Sequence, residues 1–145
     1  MASLVYTKAK ANLLSADIDL NADDIRVVLV MTDSTADTEE DTTFMDQFST
    51  LDEMDGAGYS RQAIANEAVN IDNANDRGEF DGDDITFSSV SAGTRNVLGM
   101  IVYKHVTNDA DSIPIAYIDT GGFPFAPGGG DITITWNAEG ILQAT

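Results

Sequence analysis

One histidine, no cysteine and a dense scatter of carboxylates bound the chemistry open to this sequence. A Ser–His–acid triad would have to use His105, and the serine nearest to an elbow pattern is Ser60. It sits in Gly58-Tyr59-Ser60-Arg61-Gln62, which lacks the second glycine of a strained strand-to-helix turn. His105 is therefore expected at the surface or in a subunit contact. Without cysteine there is no thiolate nucleophile, no disulfide and no thiolate metal site. The carboxylate pairs Asp23-Asp24, Glu39-Glu40 and Asp83-Asp84 are sequence neighbours. Neighbours on a strand point to opposite faces, so they cannot flank a glycosidic bond as a general acid and its partner must.

The Asp/Asn run Asp72-Asn73-Ala74-Asn75-Asp76-Arg77-Gly78 invites comparison with a calcium loop. Oxygen ligands are needed at the first, third and fifth positions with glycine sixth. Gly78 in sixth place puts Arg77 at a ligand position, and Gly82 in sixth place puts Arg77 first. Both registers fail, and a solvated turn is expected, with Asp81, Asp83 and Asp84 open to adventitious cations. Gly128-Gly129-Gly130 precedes a strand pattern, whereas a phosphate cradle requires the helix N-terminus that follows its glycines. These residues predict no catalytic centre, cofactor or metal.

One segment stands apart. In Gly121-Gly122-Phe123-Pro124-Phe125-Ala126-Pro127 two phenylalanines lie among prolines and glycines. Exposed, they form an apolar contact loop for a partner; buried, they plug one end of the fold.

The elements that must carry these residues are short. In 145 residues, 43% of them hydrophobic, one domain spanning 1–145 can bury a sufficient core without a covalent staple. Tyr6, Ala9, Leu13 and Ala16 are spaced for one face of a short N-terminal helix, with Lys8, Asn12 and Ser15 on another. Residues 25–31 are nearly continuous and β-branched, a strand covered on both faces. Thr43 is placed to cap a second short helix that buries Phe44, Phe48 and Leu51. Residues 59–71 read as a strand and 72–84 as a polar stretch interrupted by Phe80. Further strands are expected over 85–90, 96–106 (a central one), 113–119 and 131–136, separated by glycine and Asn-Asp turns. The fold class is mainly β, an antiparallel sandwich or barrel with a short N-terminal helix and one short inserted helix.

Charge narrows the partners. Against 25 acidic residues stand seven basic ones (Lys8, Lys10, Lys104, Arg26, Arg61, Arg77 and Arg95), a net charge of −18. Such a surface repels DNA, RNA and anionic membranes and keeps the protein soluble. The N-terminus lacks the basic-then-apolar order of an export signal, and no run suits a bilayer span.

Leu4-Val5-Tyr6-Thr7-Lys8-Ala9-Lys10 with Asp24-Ile25-Arg26-Val27-Val28-Leu29-Val30 resembles small virion structural proteins of tailed bacteriophages. So do Tyr59-Ser60-Arg61-Gln62-Ala63, Phe80-Asp81-Gly82-Asp83-Asp84-Ile85-Thr86-Phe87 and Val102-Tyr103-Lys104-His105. The resemblance continues through Ile115-Ala116-Tyr117-Ile118-Asp119 and Gly129-Gly130-Asp131-Ile132-Thr133-Ile134-Thr135-Trp136. It implies a capsid decoration, or cement, protein on the outer surface of the head. Such a protein is made in the host cytoplasm, binds the major capsid protein and is itself a homo-oligomer, a trimer. The contact elements expected are Leu4, Val5 and Tyr6 with Phe123, Pro124 and Phe125. Two other roles are weighed against it. A tail, neck or fibre-associated protein would serve attachment, and a carbohydrate-binding or hydrolytic sandwich would offer only Trp136 and Tyr117 as an aromatic platform.

Overall fold

The computed structural model describes residues 3–145. In chain order the elements are β1 (Leu4–Val5), α1 (Thr7–Leu14), β2 (Ile25–Met31), β3 (Gln62–Ala63), β4 (Ala68–Asp72) and β5 (Arg77–Asp81). They continue with β6 (Ile85–Phe87), β7 (Val97–Lys104), β8 (Ile113–Ile118), β9 (Ile132–Ile134) and β10 (Leu142–Ala144). The strands form three antiparallel sheets, ordered β1-β8-β7-β2-β3, β10-β5-β4 and β6-β9. The fold is mainly β and sandwich-like, as the strand and turn pattern predicts. Its sheets end on open edge strands.

Burial explains the large sheet. β2 and β7 are buried at nearly every position, which suits their β-branched, two-faced apolar runs, and β7 lies between β2 and β8. Pro114 of β8 has no N–H to give, and the β7–β8 register shifts beside it, between Val102 and Tyr103. One continuous apolar cluster joins this sheet to the smaller ones, with Val27, Leu29, Ile101 and Ile115 in it together with Phe80, Phe87 and Ile134. Burying each such side chain contributes about 1.5–3 kcal/mol.

Several expectations need correction. The helix begins at Thr7, after Tyr6, whose extended backbone makes it the flanking residue. Asn12, assigned to the polar face, is buried, while Ala16 lies beyond the helix in an exposed left-handed conformation with φ of 60°. The inserted helix is a single 3₁₀ turn over Met45–Gln47, flanked by Phe44 and not capped by Thr43. Its inward residues are Met45 and Phe48, with Leu51 half-buried. The strand expected over 59–71 breaks into β3 and β4, because Asn66 turns left-handed with φ of 53° between them. The polar stretch over 72–84 contains β5, paired with β4 across a tight hairpin. There Phe80 supplies the buried side chain, and Arg77 forms ion pairs with Asp72 and Glu79.

Candidate functional site

His105 follows the last residue of β7, held by its backbone N–H donating to the Asp24 carbonyl at 2.8 Å. Its ring meets Tyr103 edge-on at 6.2 Å, and its buried Nδ1 has no hydrogen-bond partner among the described residues. The Ser60 hydroxyl accepts from Gln62 Nε2 at 3.0 Å, and the Ser112 hydroxyl donates to the Asn108 carbonyl at 2.7 Å. Both serines are thereby tied into local turns.

The Asp-rich segments are likewise closed on themselves. The Asp72 carboxylate accepts from the backbone of Ala74 at 3.0 Å, from the Asn75 side chain at 2.6 Å and from Arg77 Nε at 3.1 Å. The Asn75 contact above all, with the Ala74 and Asn75 amides and the Arg77 charge, holds its pKa below the usual carboxylate value against an opposing desolvation. Asp83 and Asp84 accept from Asn66 and from the Trp136 backbone. Among the described residues no group of three or more His, Asp or Glu side chains is placed to hold a metal ion.

The expected contact residues divide. Leu4 and Val5 form β1 and pair with Tyr117 and Ala116 of β8, half-buried. Tyr6 is a correction: it is wholly buried and leaves nothing for a partner to touch. Its ring packs edge-on against Phe48 at 5.6 Å and its hydroxyl donates to the Ala36 carbonyl at 2.7 Å. Burial, with the charges of Tyr117 and Asp37 added, pushes that hydroxyl far above the ordinary tyrosine pKa. Phe123 and Phe125 are half-buried against the core with ring centroids 5.5 Å apart, and Pro124 between them is exposed. Phe125 bonds Val97 reciprocally at 2.8 and 3.0 Å, so the loop is stitched to the start of β7. It borders two clefts of about 300 and 490 Å³, in which the half-buried Trp136 and the glycine run also take part. Val5 lines neither, so the two sets of contact residues do not converge on one site.

A larger groove of about 650 Å³ lies elsewhere, between α1 and the β10-β5-β4 sheet. Strand register builds its floor. Leu142, Phe80 and Val69 stand side by side across the three strands, and Ala144, Gly78 and Ile71 form the next row. Because side chains alternate along a strand, these rows share one face and leave Asn70, Asp72 and Arg77 on the other, while Glu79 and Gln143 still take part in the lining. Leu13, Leu14, Ile18 and Leu20 form the opposing wall. The apolar walls do not close on each other: Leu14 is 91% exposed and Val69 47%, and Ile71, on the same sheet face beyond the lining, 81%. Sequence reading missed this site because β5 and β10 lie in stretches that looked polar or irregular. The alternation Val69-Asn70-Ile71 was the available signal.

A second feature is electrostatic. Arg61 bonds Glu53 at 2.6 and 2.9 Å and Asp109 at 2.5 and 2.9 Å, with its guanidinium 5.4 Å from the Tyr103 ring centroid. Desolvation opposes its charge, but hydrogen bonds to Asp109 and Glu53 outweigh that and raise its pKa. The arrangement is a clasp that joins the residue preceding β3 to Glu53, bridged to Val30 of β2, and to the turn between β7 and β8. It does not open onto any of the three cavities.

The chain matches no protein-family model, and comparisons with curated proteins and with solved structures find no significant similarity.

Proposed function

We propose that this protein is a bacteriophage capsid decoration protein, a homo-oligomer that binds the major capsid protein on the outside of the head and stabilises the assembled shell. What supports the reading is a packed, strongly acidic β scaffold whose exposed large aliphatic residues gather largely on one flank, at Leu14, Val69 and Ile71. Exposed apolar groups grouped in this way suit contact with another protein. The net charge of −18 suits a position away from packaged nucleic acid, since it repels phosphate at long range. The sequence resemblance to small virion proteins supplies the setting.

The mechanism is mass action. A ligand that binds the assembled, expanded lattice and not its dissociated subunits stabilises that lattice by an amount that grows with the logarithm of its concentration over its dissociation constant. No catalytic step is required, and none of the tethered serines or His105 takes part.

Quantitative mass spectrometry of purified particles tests the proposal. A decoration role requires copies on the order of hundreds per particle, in a fixed ratio to the major capsid protein. About a dozen copies or fewer would assign the protein to a tail or neck ring instead, and its absence from particles would overturn the virion reading altogether.

A further inference from the structure

We propose that the groove between α1 and the β10-β5-β4 sheet is a docking site for an extended apolar segment of another protein, one whose apolar side chains alternate with lysine or arginine. This deepens, and rests on, the reading of the protein as a binding component: it names the chemistry of what is bound and the face that binds it.

The floor of the groove is a sheet face that the molecule leaves half covered. Phe80 is buried, but in the same row Val69 is 47% exposed, and in the next row Ile71 is 81% exposed. On the opposite wall Leu14, the last residue of α1, is 91% exposed. Leu14 and Val69 thus line the opening half-covered or uncovered, and Ile71 continues the same sheet face just beyond it.

The edge of β4 beyond Val69, whose own N–H is taken by Asn21, favours an extended occupant. β4 is the last strand of its sheet. The Val69 N–H points away from β5, since it donates to the side chain of Asn21 at 2.8 Å. In antiparallel pairing outward-facing groups recur every second residue, so the Ile71 N–H and carbonyl face outward too. An added strand can bond there while every second side chain extends the apolar face toward Leu14.

Charge selects the partner. Asp19 lines the groove and Asp17 lies two residues before it, both exposed, and neither is in an ion pair among the described residues. Glu79 is paired with Arg77, and Lys10 is the single cation on the lining. The whole molecule carries −18, so a nucleic acid or an anionic bilayer approaches against long-range repulsion. A segment with basic residues between its apolar ones meets complementary charge.

The test is fluorescence anisotropy at about 0.15 M salt, where the screening length is ~8 Å. The probe is a labelled dodecapeptide alternating leucine and lysine. A serine–lysine peptide of equal charge and a leucine–glutamate peptide serve as comparisons. Only the leucine–lysine peptide is expected to saturate the wild-type protein. Leu14→Glu and Val69→Glu, both at positions lining the groove, each add a negative charge, so purely electrostatic attraction would rise in both variants. Docking in the groove instead predicts weakening by about tenfold or more, because an apolar contact is replaced by a charge. Val106→Glu, at a 50% exposed position that lines no part of the groove, is expected to leave affinity unchanged.

Equal or tighter binding by the Leu14→Glu and Val69→Glu proteins overturns the proposal, as does equal binding of the serine–lysine peptide. So does sedimentation showing a wild-type dimer that either substitution dissociates, which would make a second copy the occupant. All three results are independent of where the protein sits in a particle, so failure here and failure of the decoration role are distinguishable.

Discussion

Arg61 holds two carboxylates that would otherwise face each other. Glu53 and Asp109 are each about one-third exposed and the guanidinium less so, which places the clasp between a surface pair and a buried one. Arg61→Gln should therefore destabilise the protein by about 2 kcal/mol, more than a surface pair is worth and less than a buried one. Urea denaturation measures this, and adding Glu53→Gln should recover part of the loss by removing the repulsion left behind. A loss below about 0.5 kcal/mol would mean that both carboxylates simply rehydrate. Nothing in the sequence marks Arg61 for this role, because Asp109 lies 48 residues away. The burial of Tyr6 was concealed differently. An aromatic beside Leu4 and Val5 reads equally well as a contact or as core, and only the pairing of β1 with β8 decides for the core.

The elements that sequence patterning captured are those whose burial comes from their own composition. β2, β7 and β8 are dense in β-branched residues, and each lies within the residues expected of it. β1, β5 and β10 escaped because each is short and takes its strand character from a partner: β8 for the first, and the mutual pairing of β5 with β10 and β4 for the others. The groove escaped with them, since its floor is made by that pairing. Glycine shows the same division between packed strand and open loop. A Cβ on Gly99 of β7 would stand 2.7 Å from the Tyr117 hydroxyl and 2.8 Å from the Ile118 carbonyl, whereas one on Gly128 meets nothing within 4 Å. Gly99→Ala should thus cost about 1–3 kcal/mol by overpacking. Gly128→Ala should stay within about 0.5 kcal/mol. Thermal unfolding of the two variants checks both, and equal effects would show that the β7–β8 contact yields more readily than its geometry suggests.

Across the whole molecule, charge works against compactness. Five of the seven cations, Arg26, Arg61, Arg77, Arg95 and Lys104, are already committed to ion pairs, and the remaining acidic excess has only solvent to offset it. Folding brings those charges closer together, so screening them should stabilise the native state. The melting temperature should rise by ~5 °C between about 10 mM and 0.5 M sodium chloride. A fall over that range would mean that the ion pairs lost to screening outweigh the repulsion relieved. The net charge itself was fully legible in the sequence. Its distribution was not: which carboxylates are paired depends on contacts such as Arg95 with Asp52, 43 residues apart, and Lys104 with Asp23.

The antiparallel match of β1 with β8 joins Leu4 to Tyr117, and β10 reaches back from residue 142 to Phe80. During synthesis the first strand must therefore wait, unpaired, until more than a hundred further residues have left the ribosome. Closing loops of that length costs entropy before any contact repays it, so topology of this kind assembles late and slowly. Until then the apolar runs of β2 and β7 have no complete cover, and the excess negative charge along the nascent chain serves as its safeguard against aggregation.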